Sequence, residues 1–215
     1  MVVYAIVPVK RIGVSKRRLS QSLSLQERKS LTIAMLKDVL QALKASVVGK
    51  ILVVSNDKKV APIAEQFGAS FFSPVRKGLN SAIEEAFAWC MRNKADSVLV
   101  LPADVPLISP KDIDAIVKLG SNGRRVVLVP SKDWGTNAFF QYPPHIVRAC
   151  FGSDSFNKHV QQALSKKVII KFYYSFRVSL DIDSVDDLQL LLTVENDTLS
   201  KQVLQKFNAK KTGKN

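Results

Sequence analysis

Val98-Leu99-Val100-Leu101-Pro102-Ala103-Asp104-Val105-Pro106-Leu107 is an apolar run that stops at a proline, delivers one carboxylate and leaves through a second proline. A continuously apolar strand fits a sheet covered on both faces, as parallel sheets are. The two prolines break the strand and stiffen its exit. The stretch therefore predicts a buried strand whose lone acid, Asp104, stands at the carboxyl edge of a sheet. That edge is where open α/β proteins bind their ligands. A carboxylate there is placed to hold a metal ion on a phosphate.

The flanking sequence repeats the pattern. Strand-like runs at 2–9, 50–55, 70–75, 97–101 and 125–129 alternate with helical stretches at 59–67, 79–93 and from Pro110. Ser24 and Glu27 form a capping-box pattern, after which Leu36, Leu40, Leu43 and Val47 recur at helical spacing. Such alternation implies βαβ units and a mostly parallel sheet. Beyond residue 131 the rhythm changes, with strands expected at 138–142 and 168–174 and helices at 155–164 and 184–194. With 215 residues, the chain fits one domain, 1–208, followed by a basic flexible tail, 209–215.

Composition narrows the function classes. No apolar run reaches the ~20 residues a membrane helix needs. The first residues read as a strand rather than a leader, and Cys90 and Cys150 form no CxxC motif, which together predict a cytoplasmic protein with two reduced thiols. The formal net charge of +14 raises the question of nucleic acid. Its distribution argues for caution. One basic cluster is the tail; the other, Lys10, Arg11, Lys16, Arg17 and Arg18, sits between the first strand and a long helix, where a polyanionic small ligand suits it as well as a nucleic-acid backbone does. No GxGxxG, GxxxxGK or GxSxG is present, and two histidines are too few for a histidine-rich metal site.

Four constellations can carry chemistry, each with a plainer reading beside it. The loop Pro8 to Leu19 neutralises a triphosphate or is a solvated charged loop. Asp104 with Asp181 and Asp183 holds Mg²⁺, or Asp183 caps the helix after Ser184. Lys77-Gly78-Leu79-Asn80 reads a base or ribose at a helix start, or is an ordinary cap. Asp133 to Ala138 with Phe151 to His159 grips a small phosphorylated acid through hydroxyls, glycine N–H groups and His159, or is turn chemistry before a capped helix.

Taken together, VPVK (7–10), SKRRLS (15–20), KGLNSA (77–82), LPADVPL (101–107), GTNA (135–138), FGSDSFNKH (151–159) and LDIDSVDDL (180–188) resemble the 2-phospho-L-lactate guanylyltransferase family of coenzyme F-420 biosynthesis. The resemblance implies a three-layer α/β/α Rossmann-like nucleotidyltransferase with a mostly parallel mixed sheet. It implies that Lys10, Lys16 and Arg18 hold the triphosphate and, with Asp104, form the catalytic set. Asp104 and Asp183 would bind Mg²⁺. Pro8, Val9, Lys10, Lys77, Gly78, Asn80, Pro102 and Ala103 would line the GTP site. Thr136, Asn137, Gly152, Ser155 and His159 would take a phosphorylated 2-hydroxy or enol acid. Trp134 departs from a smaller residue in many relatives. A homodimer is plausible, while phosphoenolpyruvate, another nucleotidyl transfer, or a nucleic-acid-binding module are the alternatives. A phosphate monoester has its second pKa near ~6 and is already a dianionic nucleophile at pH 7, so the implied reaction needs no general base.

Overall fold

The computed structural model describes residues 1–13 and 16–212. Ser15 of the SKRRLS stretch and the last three residues of the expected tail lie outside them. Seven strands, β1 (Val3–Pro8), β2 (Lys50–Val54), β3 (Ser70–Phe72), β4 (Ser97–Val100), β5 (Arg125–Pro130), β6 (Thr136–Tyr142) and β7 (Ile169–Phe172), form one sheet in the order β3-β2-β1-β4-β6-β5-β7. β1 runs parallel to β2 and β4, β2 to β3, and β5 to β7, while β6 is antiparallel to both β4 and β5. The sheet is mixed and mostly parallel.

The strands are mostly apolar, and the central β1 and β4 are buried along almost their whole length, because helices cover both faces. Helices α1 (Leu25–Lys44), α2 (Ala61–Gln66) and α4 (Pro110–Gly120) pack on the face that carries Val3, Ala5 and Val7 of β1. Helices α3 (Leu79–Arg92) and α5 (Ser155–Ser165) cover the opposite face, with Tyr4 and Ile6. The alternation of β1 side chains between two cores follows from the two-residue period of a strand. At the end of α4, a Cβ on Gly120 would lie 2.2 Å from the Phe140 ring, so only glycine lets this helix approach β6 so closely.

A third apolar cluster lies behind α1. Leu31 and Met35 meet Leu19, Leu180 and Ile182, together with Leu188 and Leu191 of α7 (Val185–Thr193) and Leu204 of α8 (Leu199–Thr212). A single turn, α6 (Phe176–Ser179), precedes them. The Asp38 carboxylate in α1 accepts hydrogen bonds from the Leu199 and Ser200 N–H groups and so caps α8 from across the interface. The expected boundary at 208/209 falls inside α8, which runs to Thr212.

Several expected spans shift for physical reasons. The third strand ends at Phe72 because Pro74 follows, rather than reaching Val75. The helix expected over 59–67 opens as a 3₁₀ turn, Lys58–Val60, before α2. Residues 180–183 form a connection without strand pairing, from which Asp183 leads into α7. Among the described residues, no helix is long and apolar enough to cross a membrane.

Candidate active site

The strand order reverses between β1 and β4. The chain leaves β1 toward β2 on one side, and β4 leads away on the other, so the loops after their carboxyl ends part and leave a crevice. Pro8 ends β1 and Val9 and Lys10 follow it, while Pro102, Ala103 and Asp104 follow β4. Because β6 is antiparallel, its amino end brings Thr136 and Asn137 to this same edge. The connection 180–183 completes the rim, fixed when the Ile182 N–H donates to the Asp104 carbonyl at 3.0 Å.

At the centre, the Lys16 ammonium donates to Asp104 Oδ2 and to Asp183 Oδ1, both at 2.7 Å. Lys16 itself is nearly inaccessible, whereas the two carboxylates are 32% and 45% exposed. Burial works to lower the lysine pKa, but Asp104 and Asp183 outweigh it and hold it above its ordinary value. Burial likewise works to raise Asp183; Lys16, then Lys10 and Arg18, overcome this and hold it below the usual carboxylate value. The three predicted cations therefore converge electrostatically on Asp183. Asp181, half-buried near Asp104 and Asp183, is pushed up by desolvation first and by those like charges next, against a hydrogen bond from Asn137.

One small cation already reaches two carboxylates here, which is the arrangement that a shared metal ion requires. Among the described residues, no three acidic, histidine or cysteine side chains gather into a self-sufficient cage. A pair of carboxylates suits Mg²⁺, which completes its shell with water and substrate phosphates.

The Asn137 amide donates to the Val178 carbonyl (3.0 Å), the Ser179 carbonyl (3.1 Å) and Asp181 Oδ1 (3.2 Å). It ties the acidic connection to β6. Thr136 faces the other side of the strand. There, Ser155 Oγ lies 3.2 Å from Thr136 Oγ1, and His159 Nδ1 lies 3.0 Å from the same oxygen. The Phe156 N–H donates to the Trp134 carbonyl, which docks the start of α5 against the 131–135 turn. Gly152, exposed and at φ +123°, adopts a backbone that L side chains rarely reach.

His159 requires a correction. Its side chain is fully buried, stacked 4.4 Å from Phe139, and both ring nitrogens are engaged. Nε2 accepts from the Cys150 N–H at 3.0 Å, which leaves the ring proton on Nδ1, facing Thr136. Burial lowers its pKa to about 4, so the ring is neutral at pH 7. It has no nitrogen left to grip a ligand directly.

Lys77 and Gly78 are exposed immediately before α3. The Asn80 amide is spent on the backbone of Phe151, donating from Nδ2 at 3.1 Å and accepting at Oδ1 at 2.7 Å. Sequence reasoning did not single out Asp187. This buried acid accepts from the N–H groups of Asp183 and Ser184 and pairs with Lys132, locking the base of the acidic connection. Its signal was the Ser184-x-x-Asp187 capping box.

Comparison with known proteins adds to this geometry. Residues 3–213 match the profile of the family described as Guanylyl transferase CofC like. A 2-phospho-L-lactate guanylyltransferase of Methanocaldococcus jannaschii is 35% identical over 201 residues, 93% of this chain and 87% of that protein. A phosphoenolpyruvate guanylyltransferase of Rubrobacter xylanophilus is 37% identical over 192 residues, 89% of this chain and 94% of that one. In fold, a chain from Desulfovibrio desulfuricans G20 described as a nucleotide-diphospho-sugar transferase superposes with a TM-score of 0.80 at 15% identity, over 97% of this chain and 96% of its own.

Proposed function

The chain belongs to the CofC-like guanylyl transferase family, and from that premise we propose that it joins GMP from GTP to 2-phospho-L-lactate in the making of coenzyme F-420. A phosphate oxygen of the acid attacks the α-phosphorus of GTP, the bond from that phosphorus to the bridging oxygen breaks, and pyrophosphate leaves. The observation that carries this reading is the Lys16 ammonium held between Asp104 and Asp183 at the carboxyl edge of the sheet.

The main barrier is electrostatic. Two like charges ~4 Å apart repel by ~4 kcal/mol at an effective dielectric near ~20, and here two polyanions must meet. Lys10 and Arg18 offset that repulsion where the triphosphate enters. Asp104 and Asp183 would hold Mg²⁺, which when bound neutralises phosphate charge and draws electrons from the reacting phosphoryl group. Lys16, released from the carboxylates, is free to donate to phosphate oxygens. Thr136, Ser155 and Gly152 line the acceptor end. No residue acts as a base: the acceptor phosphate is a dianion already, and His159 is buried and fully engaged.

Phosphoenolpyruvate is the second reading, favoured by a relative as similar as the first. Both acids present a phosphate beside a carboxylate. The test is pyrophosphate release with Mg²⁺ and each of GTP, CTP and ATP, paired with each acid in turn. The expected result is turnover with GTP and phospholactate. Preference for phosphoenolpyruvate selects the second reading, and preference for CTP or ATP rejects guanylyl transfer.

A further inference from the structure

At the acceptor end, the hydrogen-bond directions can be followed proton by proton. The chain begins at the Cys150 backbone N–H, which can only donate, and it donates to His159 Nε2. A neutral imidazole that accepts at Nε2 must carry its proton on Nδ1, so His159 donates to Thr136 Oγ1. A ring turned over would set carbons against Thr136 Oγ1 and the Cys150 N–H and lose both hydrogen bonds, so the observed orientation is the one that satisfies the chain. Thr136 and Ser155 share one further hydrogen bond between their hydroxyls. Two hydroxyls bring two protons, and that shared bond uses one. Whichever oxygen accepts it, one hydroxyl proton is left without an acceptor among the described residues. Thr136 and Ser155 keep only 4% and 1% exposure, so few waters compete with a ligand for that proton.

We propose that His159 is a positioning residue that sets the polarity of this chain, so that the Thr136–Ser155 pair presents a donor to an oxyanion of the phosphorylated acid. Without it the pair is ambivalent, since each hydroxyl both donates and accepts. With it, the backbone amide of Cys150 dictates, through His159, that the pair ends in a spare proton rather than a spare lone pair. An anionic acid matches that end, and a neutral alcohol or amide-bearing analogue gains no such preference. The proposal rests on the acceptor reading above, and its test is built to fail separately from that reading.

Two measurements on the full chain test it. The first is the ¹⁵N spectrum of the imidazoles, with His145→Gln to leave a single histidine. A protonated Nδ1 and a bare Nε2 are expected for His159, and a protonated Nε2 overturns the proposal. The second is the Michaelis constant for each acid. His159→Gln keeps an acceptor for Cys150 but loses the donor to Thr136; His159→Asn does the reverse. The Gln variant should raise the acid KM roughly tenfold, the worth of a charge-assisted hydrogen bond, with the GTP KM within about twofold. The Asn variant should recover most of that loss. In a Thr136→Val background, His159→Gln should add nothing further. Equal losses in the Gln and Asn variants, or a Gln penalty that persists in the Thr136→Val background, reduce His159 to packing and overturn the proposal while the functional reading stands. A wild-type chain that turns over neither acid overturns that reading, and the proposal falls with it.

Discussion

Asp104 and Asp112 lie on one stretch of chain, the loop after β4 and the helix it enters, and each faces a basic side chain. Their surroundings are opposite. Asp112 is fully buried and accepts from the N–H and hydroxyl of Ser109, the hydroxyls of Tyr173 (2.8 Å) and Ser175 (2.9 Å), and two nitrogens of Arg177 (2.8 and 3.0 Å). Burial alone would raise its pKa; Arg177 first, then the hydroxyls, reverse this and hold it far below the carboxylate range. Among the described residues Asp104 takes one side-chain hydrogen bond, from Lys16, and its side chain remains a third exposed, while that of its partner Asp183 is nearly half exposed. A carboxylate with every lone pair occupied fastens the 173–177 segment to α4 and can hold nothing else. A carboxylate with lone pairs open, beside a second one, can exchange its lysine for another cation. Saturation separates the structural acid from the functional one.

The largest expected effect comes from breaking the open pair. Asp104→Asn should lower turnover by roughly 10³-fold, the scale of losing a charge aimed at a phosphoryl transition state, while the melting temperature holds. Pyrophosphate release and thermal denaturation check it; a variant keeping turnover near wild type would falsify the metal role. Asp112→Ala should invert the pattern. Removing one partner of a buried, hydrogen-bonded ion pair should cost about 3–4 kcal/mol of stability, near the lower end because Arg177 can return to water. The folded fraction should keep its kcat. A urea titration alongside the same assay reads both, and a kcat loss without a stability loss would place Asp112 in the chemistry.

What the sequence revealed divides along the same line. Asp104 was legible because its signal is local: an apolar run, a proline and one acid. The βαβ rhythm was local too. The saturated centre was not, since the partners of Asp112 arrive from Tyr173, Ser175 and Arg177, and no spacing rule brings distant polar residues onto one carboxylate. The direction of β6 was hidden because a strand's composition carries no arrow. The end of helix α8, 209–212, read as part of a basic tail because the residues the helix buries are few, chiefly Leu204 and Ser200, and its cap, Asp38, lies on another helix. Lys16 was named for the triphosphate; that it bridges both acids depends on its left-handed backbone, φ 58°, and on folding that brings residues 16, 104 and 183 together.

A smaller effect tests whether His159 belongs with the saturated groups. Its folded pKa, about 4, lies below the ordinary 6.5, so folding disfavours its protonated form. As pH falls below 6.5 the unfolded chain takes up the proton first, and stability is lost down to about pH 4, by up to about 3 kcal/mol. Asp112 and Asp183, both depressed, keep their contributions until lower pH. The stability difference between wild type and His159→Asn, followed from pH 7 to 4, should therefore shrink by that amount. A pH-independent difference would place the ring in water.

The smallest expected effect concerns Asn80, which the family resemblance assigns to the nucleotide. Both ends of its amide are occupied by Phe151, the residue whose ring edges His159, so by the saturation criterion Asn80 sides with Asp112. Asn80→Ala should cost about 1–2 kcal/mol of stability through two lost hydrogen bonds. Because the Phe151 backbone is then free to shift against His159, any kinetic change should appear in the acid KM. The GTP KM should move by less than about threefold, below the roughly 1 kcal/mol that one direct hydrogen bond contributes. A GTP-specific rise of tenfold with stability intact would mean that the amide leaves Phe151 to meet the nucleotide, and a saturated group would then have proved exchangeable after all.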